Sequence, residues 1–562
     1  MTRVRLSLLP GERVLVADGS ASRELPLGAL PAHVREREDG PDAPRWVWDD
    51  TARWYPGLLA AGVRVTRCHD LRLCRRVLSR APAVDRSFLR GDQADLWDLL
   101  RPWSAERVGD PVLFGADDAA EHLRADLEDD RQLAAIAASP EQPRLALLVA
   151  AESAGALAAA EMTHAGVPWR VDVHEALLTE RLGPRPVRGA RPRLLEECAD
   201  DLRRLLDAPA LNPDSHPDLL ASLRRAGIDV GDIRASTLRA VDHPVVEPLL
   251  RYKSLAHLFQ TNGWAWLDDW VRDGRFRPVY QPAGSATGRW SSNGGGALSI
   301  PAQVRSAVVA DDGWTFVVAD VAQLEPRVLA GMSGDRGLAA AARGADLYQG
   351  MVDAGAVASR QDAKLGLLGA MYGATSGESG RMVAGLTRRY PQAFGLVEEA
   401  ARAGERGQVV RTLLGRGSPS LGGTWEESPD ATPPDLDALD RQRRAFGRFT
   451  RNFVVQGTGA EWALCWVADL RNRLWRLGDG ALTDRPHLVF FLHDEVVVHT
   501  PAALADAVGR EARAAAEDAG RLLFRDLAVD FPLTVTVTRS YAEAGKPGAT
   551  AVGGPPEGPA LS

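Results

Sequence analysis

The sequence is poor in lysine and in cysteine. Lysine occurs only at Lys253, Lys364 and Lys546, while arginine supplies nearly all of the 67 basic residues. Such a bias indicates a GC-rich genome, and it makes each lysine that has not drifted to arginine informative. The four cysteines have no C-x2-C spacing, which argues against a zinc site and a disulfide framework and favours a reduced cytoplasm. They are Cys68, Cys74, Cys198 and Cys465.

Long apolar runs and a basic excess are also missing. No run approaches the ~20 apolar residues needed to span a bilayer, since the alanine-rich stretch 145–160 contains Glu152 and favours a helix of a soluble domain. The N-terminus MTRVRLSLLPGERVLV lacks a signal-peptide layout, so we expect a cytoplasmic protein without a membrane partner. The net charge of −8 provides no global attraction for nucleic acid, and any such site must be a local basic cleft.

The chain has 562 residues, too many for one ordinary core and enough for three or four subdomains. Residues 1–130 mix short strands with acidic helices, 131–275 are mainly helical, and strands return from 276 onward. The Pro-, Gly- and acid-rich stretch 418–435 predicts a loop. The composition from Gly545 onward predicts disorder.

Three charged residues interrupt the apolar stretch LVFFLHDEVVVHT. Its two β-branched runs predict two strands joined by a tight hairpin connection that carries His493, Asp494 and Glu495. A solvated turn would more often use Asn-Gly or Asp-Gly. From this segment alone, a charged surface turn and a metal site both stay open.

A second acid follows an apolar run in WTFVVADVAQLEPRVLAGM. The predicted strand ends at Asp320, and a helix follows with Gln323, Glu325 and Arg327 near its start. Taken alone, Asp320 is more typical of a helix cap. Together with Asp494 it favours a sheet on which two strand ends meet and hold two divalent ions, an arrangement used for phosphoryl transfer.

A cationic helix, RQDAKLGLLGAMYG, lies between these acids in the sequence. Arg360, Lys364, Leu368 and Tyr372 recur every four residues, so they share one helix face. The strip suits a triphosphate at one end and a base or sugar at the other. The alternative is an amphipathic helix with solvated cations. Lys364 argues against it, because a compact ammonium suits phosphate and a solvated position would have drifted to arginine.

These segments resemble the family A DNA polymerases: DVAQLEPR is similar to motif A of that family, RQDAKLGLLGAMYG to motif B and LHDEVVV to motif C. Three further segments are similar to family segments: ATGRWSS to TGR-x-SS, ALSIPAQVR to IP-x-R, and RFTRNFVVQGTGAEWA to R-x3-N-x3-QGT. The resemblance covers about 142–543. It implies an α/β multidomain fold, in which a ribonuclease H-like, exonuclease-type domain precedes a right-hand polymerase with an antiparallel palm sheet, helical fingers and a helical thumb.

The expected domains follow from this resemblance. They are a degenerate 3′–5′ exonuclease-like domain (1–130), an entry helix and thumb (131–275), a first palm part (276–345), fingers with a loop (346–435), a second palm part (436–545) and a disordered tail (546–562).

The resemblance also implies site residues. Asp320, Asp494 and the Val321 carbonyl would bind two magnesium ions, Glu495 would support them, and Lys364 would act as a proton donor to pyrophosphate. Tyr372 and Glu325 would crowd the sugar 2′ position and so select deoxyribose. The implied nucleotide-binding residues are Arg360, Lys364, Leu368, Tyr372, Glu325 and Gln323. The implied DNA-binding residues are Arg289, Lys253, Asn452, Gln456, Arg448 and His493.

The sequence departs from the family pattern in several places. Leu368 replaces an aromatic residue, which predicts weaker nucleotide stacking. Pro326 and Val321 are unusual in motif A, the segment from Tyr372 to Tyr390 is shortened, and Glu461 replaces an aspartate.

The N-terminal region lacks most of the four carboxylates that an exonuclease needs. Asp18 has no glutamate partner in a D-x-E pattern, and Trp54 stands where a metal aspartate is expected. FGADD offers Phe114 for a tyrosine and Asp118 for an acid. We therefore expect a degenerate exonuclease-like domain.

The function predicted from the sequence is DNA-templated extension of a primer with dNTPs, with two Mg²⁺ ions and no active proofreading. The expected partners are primer–template DNA and dNTPs, with the protein acting as a monomer near the nucleoid. Three alternatives stay open: a bifunctional polymerase with residual 3′–5′ exonuclease, a non-catalytic DNA-binding paralogue and a single-subunit RNA polymerase.

Overall fold

The computed structural model describes residues 2–19, 21–102, 123–187, 189–292, 295–296, 300–373, 377–421, 436–525, 529–544 and 550–551. The strands are β1 Arg3–Leu9, β2 Arg13–Asp18, β3 Ala21–Pro26, β4 Arg45–Trp48, β5 Cys68–Asp70, β6 Val167–Pro168, β7 Val271–Arg272, β8 Arg275–Phe276, β9 Tyr280–Gln281, β10 Ser291–Ser292, β11 Trp314–Val321, β12 His487–Leu492, β13 Glu495–Pro501, β14 Leu533–Thr538 and β15 Thr550–Ala551. The α-helices are Leu30–Glu38, Thr51–Ala60, Leu71–Leu78, Ala94–Leu99, Ala125–Ala138, Gln142–Ala165, Val171–Leu182, Arg193–Leu205, His216–Arg225, Ala235–Arg239, Val246–Asn262, Trp264–Trp270, Leu324–Ser333, Arg336–Ala341, Leu347–Asp353, Arg360–Tyr372, Gly377–Arg389, Pro391–Glu405, Leu436–Trp475 and Ala505–Phe524.

The N-terminal part contains a mixed sheet in the order β3-β2-β1-β4-β5. β1 is antiparallel to β2 and parallel to β4, which in turn is parallel to β5. Apolar side chains such as Val4, Trp46 and Tyr55 form its core, and Leu157 from helix Gln142–Ala165 joins that core. The N-terminal sheet is thus packed directly on a helix that belongs to the rest of the chain.

The central sheet has the antiparallel order β12-β13-β11-β14-β15. Successive side chains along each strand point to opposite faces of the sheet, as the period of two requires. In β11, Val317, Ala319 and Val321 belong to one core, while Phe316 and Val318 belong to another. Both faces of the sheet are therefore buried, and only its edges and strand ends are left for function.

Helices cover each face of the central sheet. The long helix Leu436–Trp475 and the helix Ala505–Phe524 pack on one face, where Trp466 donates a hydrogen bond to the Ala512 carbonyl at 3.1 Å. Helices between residues 171 and 267 pack on the other face through residues such as Leu178 and Leu249. At ~1.5 Å per residue, the 40-residue helix Leu436–Trp475 extends about 60 Å and reaches both the sheet and the N-terminal part.

One helix of the described residues, Gln142–Ala165, is long and apolar enough to cross a membrane by length and composition, although the sequence suggested no such run. Of its most apolar stretch of 18 residues, 72% is buried inside the protein, as in the core helix of a globular domain. The helix is buried because it packs against two cores: Leu157 belongs to the N-terminal core and Met162 to the central one.

The boundaries differ from the sequence expectations in small ways. β11 continues one residue beyond Asp320, and Glu495 is the first residue of β13 rather than part of the turn. Thr550–Ala551, expected to be disordered, pairs with β14. Most of the loop 418–435 and the rest of the tail lie outside the described residues.

Glu461 gives the fold a specific pH dependence. Its side chain is fully buried in the helix Leu436–Trp475 and accepts hydrogen bonds from Thr412 and from the Leu414 amide. Burial raises the pKa of Glu461 to about 7, and the negative charge of Glu152 adds to the rise. The Thr412 hydrogen bond and the positive charge of Arg416 lower the pKa and oppose part of this rise. Between the unfolded and the folded pKa, the folded state holds a proton that the unfolded state has released, so the stability contributed by Glu461 is lost as the pH rises through its folded pKa.

We expect Glu461→Gln to remove this pH dependence. The variant should melt a few degrees above the unmodified protein at pH 8.5, while the difference should vanish at pH 5, where the glutamic acid is protonated in the fold. Thermal melts at the two pH values measure it. An equal difference between variant and unmodified protein at both pH values would contradict the buried-proton explanation.

Candidate active site

Two acidic strand ends meet on the central sheet, as the sequence predicts. β11 pairs with β13 so that Asp320 lies opposite Glu495, and the Val321 amide donates a hydrogen bond to the Asp494 carbonyl at 2.9 Å. His493 and Asp494 form the two-residue connection of the β12–β13 hairpin, in which His493 has a φ of 54°. The left-handed conformation of His493 tightens the turn and keeps Asp494 at the end of β11.

The carboxylates at this point repel one another. Burial raises the pKa of Asp320 to about 7, and the negative charges of Asp494 and Glu495 add to the rise. Burial also raises the pKa of Asp494 and of Glu495. A divalent cation would relieve this repulsion, and carboxylate and carbonyl oxygens are the ligands that Mg²⁺ prefers.

Few side chains at this point could bind a metal ion. Among the described residues, no group of three or more His, Cys, Asp or Glu side chains is arranged to hold a metal ion. Asp320 and Asp494 therefore fit a Mg²⁺ site that is completed by a backbone carbonyl, by substrate phosphates and by water, as Mg²⁺ sites in phosphate-processing proteins commonly are.

Glu495 is held by residues from distant parts of the chain. The Tyr541 hydroxyl donates a hydrogen bond to Glu495, and the Arg305 guanidinium lies 4.7 Å from the centre of the Tyr541 ring. Sequence reasoning missed Tyr541, because nothing in its local sequence RSYAEAG sets it apart. This arrangement orients the Glu495 carboxylate beside the acidic pair.

A second cluster forms around Glu325. Arg289 donates to one Glu325 oxygen at 2.5 Å, and the Tyr372 hydroxyl donates to the other at 2.9 Å. Gln456 is hydrogen-bonded to Tyr372. The structure thus brings together four residues that the sequence places far apart, at the end of the helix Arg360–Tyr372.

The other end of that helix is engaged by an acid that sequence reasoning missed. Asp346 accepts hydrogen bonds from Gln323 at 2.8 Å and from Arg360 at 2.6 Å, and it caps the helix Leu347–Asp353. The Arg360 guanidinium also lies 5.6 Å from the centre of the Tyr348 ring. The only sequence signal was an Asp before a helical segment, which a cap explains equally well.

The predicted cationic face is exposed. Lys364 is exposed, and within the described residues it has no ion pair or hydrogen-bond partner, whereas Leu368 is half-buried against the central core. Because Arg360, Lys364 and Tyr372 are all exposed, the face is accessible to a ligand.

The predicted DNA-binding residues are spread more widely. Arg448 lies beside Gly373 at the end of the helix Arg360–Tyr372, and the Asn452 side-chain oxygen is buried without a hydrogen-bond partner among the described residues. Burial and the Arg289 charge lower the pKa of His493 to about 4, so its imidazole is neutral at pH 7. Lys253 is different, because its ammonium donates to the Ile233 carbonyl within the helical part.

The N-terminal candidates that the structure describes do not form a carboxylate cluster. Asp18 is ion-paired with Arg37 at 2.7 Å, and the Trp54 indole donates to Asp49. On β1, Arg3 and Arg5 point to Asp129. Phe114 and Asp118 lie outside the described residues. Among the described residues, β2 carries Asp18 in an ion pair, and the neighbouring β1 carries the cations Arg3 and Arg5.

The arrangement suits phosphoryl transfer. Paired carboxylates can hold divalent ions beside an exposed cationic helix face that attracts phosphate, and such sites work by positioning and electrostatic stabilisation.

Comparison with known proteins agrees with this chemistry. The family model of DNA polymerase family A matches residues 227–543. The chain is 29% identical over 363 residues to DNA polymerase I of Chloroflexus aurantiacus, covering 59% of this chain and 36% of that protein. It is 30% identical over 339 residues to the thermostable DNA polymerase I of Thermus filiformis, covering 54% of this chain and 37% of that protein. The chain thus spans about a third of the length of these curated relatives.

A solved structure shares the overall fold. The POL domain of Pol1 from M. smegmatis, in complex with DNA primer-template and dNTP, superposes with a TM-score of 0.69 at 21% identity, covering 97% of this chain and 96% of that chain. Since the family model matches more than half of the sequence, the chain belongs to DNA polymerase family A.

Proposed function

We propose that the chain is a DNA-templated DNA polymerase, which extends the 3′ end of a primer with dNTPs by phosphoryl transfer and has no active proofreading. The observation that carries the proposal is the meeting of Asp320 and Asp494 on adjacent strands of the central sheet. Family membership and the fold shared with a polymerase domain bound to primer-template and dNTP support it.

The same proposal assigns the parts of the molecule. The central sheet would be the palm, helices within 346–405 the fingers, helices within 171–267 the thumb, and the N-terminal sheet a degenerate exonuclease-like domain. The mixed order of the N-terminal sheet and its arginines on β1 support the last assignment. We further propose that the protein acts as a monomer in the cytoplasm, with primer–template DNA as its partner.

The acidic pair and the cationic helix face would divide the work of phosphoryl transfer between them. Asp320, Asp494 and the Val321 carbonyl would hold two Mg²⁺ ions, which when bound promote the attack of the primer oxygen and neutralise charge on the phosphates. Lys364 and Arg360 attract the triphosphate of the incoming nucleotide. The Arg360–Asp346 pair is exposed and so costs little to exchange for phosphate. Neutral His493 adds no positive charge near the acids.

Sugar selection would lie with the Glu325 cluster. The Tyr372–Glu325 hydrogen bond holds both side chains in place, and Arg289 fixes the other Glu325 oxygen. A rigid pair beside the sugar would leave no room for a 2′-hydroxyl. Each Glu325 oxygen already accepts a hydrogen bond, from Tyr372 or from Arg289, so the carboxylate would not turn toward a ribose hydroxyl without breaking one of them.

Primer extension tests the proposed function directly. A recessed primer on a DNA template, with Mg²⁺ and four dNTPs, should be lengthened by nucleotides that the template specifies. Blunt-ended duplex DNA of the same sequence is the control and should not be lengthened. Primer–template binding without extension would contradict the proposal and favour the non-catalytic paralogue.

We expect Glu325→Ala to relax sugar selection. Loss of the carboxylate frees Tyr372 and opens space, so the preference for dNTPs over rNTPs in kcat/KM should fall by about 10- to 100-fold. Single-nucleotide incorporation with dATP and ATP measures the ratio. Glu399→Ala, in an exposed helix position, is the control and should keep the ratio. A high rate with rNTPs in the unmodified protein would instead favour an RNA polymerase.

The absence of proofreading is testable in the same preparation. A 5′-labelled single strand incubated with Mg²⁺ should stay intact at its 3′ end. Its shortening by the unmodified protein would favour the bifunctional alternative.

A further inference from the structure

Three acidic residues meet at one end of the central sheet, yet they do not form a three-carboxylate metal site. Asp320 lies opposite Glu495 in the β11–β13 pair, and Asp494 directly precedes Glu495. Among the described residues, no three Asp, Glu, His or Cys side chains are arranged to hold one ion. The direction of the Glu495 side chain therefore decides how many carboxylates a cation meets here.

The backbone of Glu495 is well placed for a third ligand. Residues that lie opposite each other in an antiparallel pair project to the same face of the sheet, with Cβ atoms ~5 Å apart. Val318 and Val497, two residues along from Asp320 and Glu495, both belong to the core that also contains Tyr541. Asp320 and Glu495 therefore point to that face, and rotation of the Glu495 side chain would bring its carboxylate toward Asp320.

A hydrogen bond opposes this rotation. The Tyr541 hydroxyl donates to Oε1 of Glu495, and from the described residues the Glu495 side chain accepts no other hydrogen bond. Hydrogen bonds to a charged acceptor are stronger than neutral ones. Because Tyr541 is only 2% exposed, breaking the bond would also leave a buried hydroxyl without a partner.

Tyr541 is itself fixed from several sides. The Arg305 guanidinium lies 4.7 Å from the centre of the Tyr541 ring, and the centre of the Phe490 ring lies 6.1 Å from it. The Tyr541 amide donates to the Val308 carbonyl at 3.0 Å, and Arg305 donates from Nε to the Ile300 carbonyl at 3.0 Å. The position of the hydroxyl is therefore set by the fold around it.

We propose that Tyr541 is a positioning residue, which holds Glu495 away from Asp320 and Asp494 so that a divalent ion meets two carboxylates rather than three. Fewer protein ligands leave coordination positions for substrate phosphates and water, as Mg²⁺ sites that process phosphates need. A third carboxylate would also add negative charge where negative charge develops on the phosphates. The effect on the reaction rests on the proposed function, whereas the arrangement of the three acids does not.

Tyr541→Phe tests the proposal, because it removes the hydroxyl and keeps the ring. Binding of Mn²⁺, which prefers the same oxygen ligands as Mg²⁺, is measured by EPR on the full chain without DNA or nucleotide, for the site that is lost in Asp494→Ala. We expect Tyr541→Phe to bind Mn²⁺ about fivefold more tightly, because the freed Glu495 adds its charge to the site. Thermal melts check that the variant keeps its fold.

Primer extension gives a second readout of the same variant. With Mg²⁺ and primer–template, kcat of Tyr541→Phe should fall about tenfold, because the extra carboxylate opposes charge development on the phosphates. The KM for dNTP should stay within about threefold, because the nucleotide contacts of the cationic helix face are unchanged.

A double-mutant cycle shows whether Tyr541 acts through Glu495. In a Glu495→Ala background, Tyr541→Phe should change neither the Mn²⁺ affinity nor kcat, because the carboxylate that it frees is gone. Changes of the same size in both backgrounds would overturn the proposal, since Tyr541 would then act on the structure and not on Glu495.

Glu495→Ala alone is an independent test. Since Glu495 is held off the ion, its loss should change the Mn²⁺ affinity by less than about threefold. A loss of about tenfold or more would mean that Glu495 already binds the ion, and the proposal would be overturned.

Tyr55→Phe is the matched control. Tyr55 is buried and donates to Glu161 at 2.7 Å, so this variant loses the same kind of hydrogen bond in the N-terminal part of the molecule. It should leave the Mn²⁺ affinity and kcat unchanged. Equal Mn²⁺ affinities for Tyr541→Phe and Tyr55→Phe would contradict the proposal.

The outcome is separable from that of the polymerase proposal. If the primer is not extended but Tyr541→Phe tightens Mn²⁺ binding as expected, only the polymerase proposal fails. If the unmodified protein extends the primer and Tyr541→Phe leaves the Mn²⁺ affinity unchanged, only the Tyr541 proposal fails.

Discussion

Asp494→Ala should lower the rate of primer extension by about 10³-fold or more while leaving primer–template affinity within about threefold. The carboxylate lies at the hairpin turn that faces Asp320, and it would hold the Mg²⁺ ions that stabilise the negative charge developing on the phosphates. The proposed function assigns DNA binding to other residues, such as Arg448 and Asn452, so the affinity should change little. Single-turnover extension and equilibrium DNA binding measure the two quantities separately.

Two controls make the result specific. Asp494→Asn keeps the size of the side chain and should be nearly as inactive, whereas Asp506→Ala, in an exposed position of the helix Ala505–Phe524, should be fully active. Mg²⁺ should raise the Tm of the unmodified protein and not that of Asp494→Ala, because a ligand stabilises only the state that binds it. Full extension by Asp494→Ala would exclude the acidic pair as the site of chemistry.

The sheet and the acidic pair could be predicted from the sequence because their signals are local. Alternating apolar residues in β11 and β13 identify strands, and an acid at the end of each strand is visible in the chain. The register that places Asp320 opposite Glu495 does not follow from the strand pattern, because both faces of the sheet are buried and a slip of one residue would only exchange one buried face for the other.

The surroundings of the site could not be predicted, because they depend on contacts between distant segments. Asp346, Tyr541 and Arg305 acquire their roles only when the chain is folded. Arg327 is a similar case: the side chain is fully buried and donates to backbone carbonyls that include Ala342 and Asp530. The sequence placed it only near the start of a helix, whereas in the fold it holds loops together.

The N-terminal part shows the same limit. The sequence indicated that acids were missing, but it did not indicate that Arg3 and Arg5 on β1 would pair with Asp129.

A buried ion pair joins the N-terminal sheet to the rest of the molecule. Arg471, in the helix Leu436–Trp475 and 4% exposed, is paired with Glu161 and donates to the carbonyls of Val65 at 2.8 Å and Thr66 at 3.0 Å. Tyr55 donates to Glu161 at 2.7 Å. Although burial alone would raise the pKa of Glu161, the charges of Arg471 and Arg64 bring it below its usual value.

Arg471→Met should therefore destabilise the contact between the two parts by about 3–5 kcal/mol, because Glu161 stays buried while its main partner is lost. We expect the Tm to fall by roughly 10 °C and protease cleavage in the N-terminal part to become faster. Since a chain of this size need not unfold in two states, thermal melts and limited proteolysis should be measured together.

The control lies two residues away on the same helix. Arg473 has more ion pairs, with Asp469, Glu511 and Asp518, yet its side chain is 23% exposed, so Arg473→Met should cost no more than about 1 kcal/mol. Adding Glu161→Gln to Arg471→Met should recover part of the loss, because it removes a buried charge that keeps only Arg64, at 3.3 Å, as an ion-pair partner. Glu161, whose pKa is lowered in the fold, stabilises the protein above pH 4.5 and loses that effect as the pH falls through its folded pKa. A larger loss of stability in Arg473→Met than in Arg471→Met would contradict this prediction. The number of ion pairs would then matter more than their burial, and apolar contacts alone would hold the N-terminal sheet to the central body.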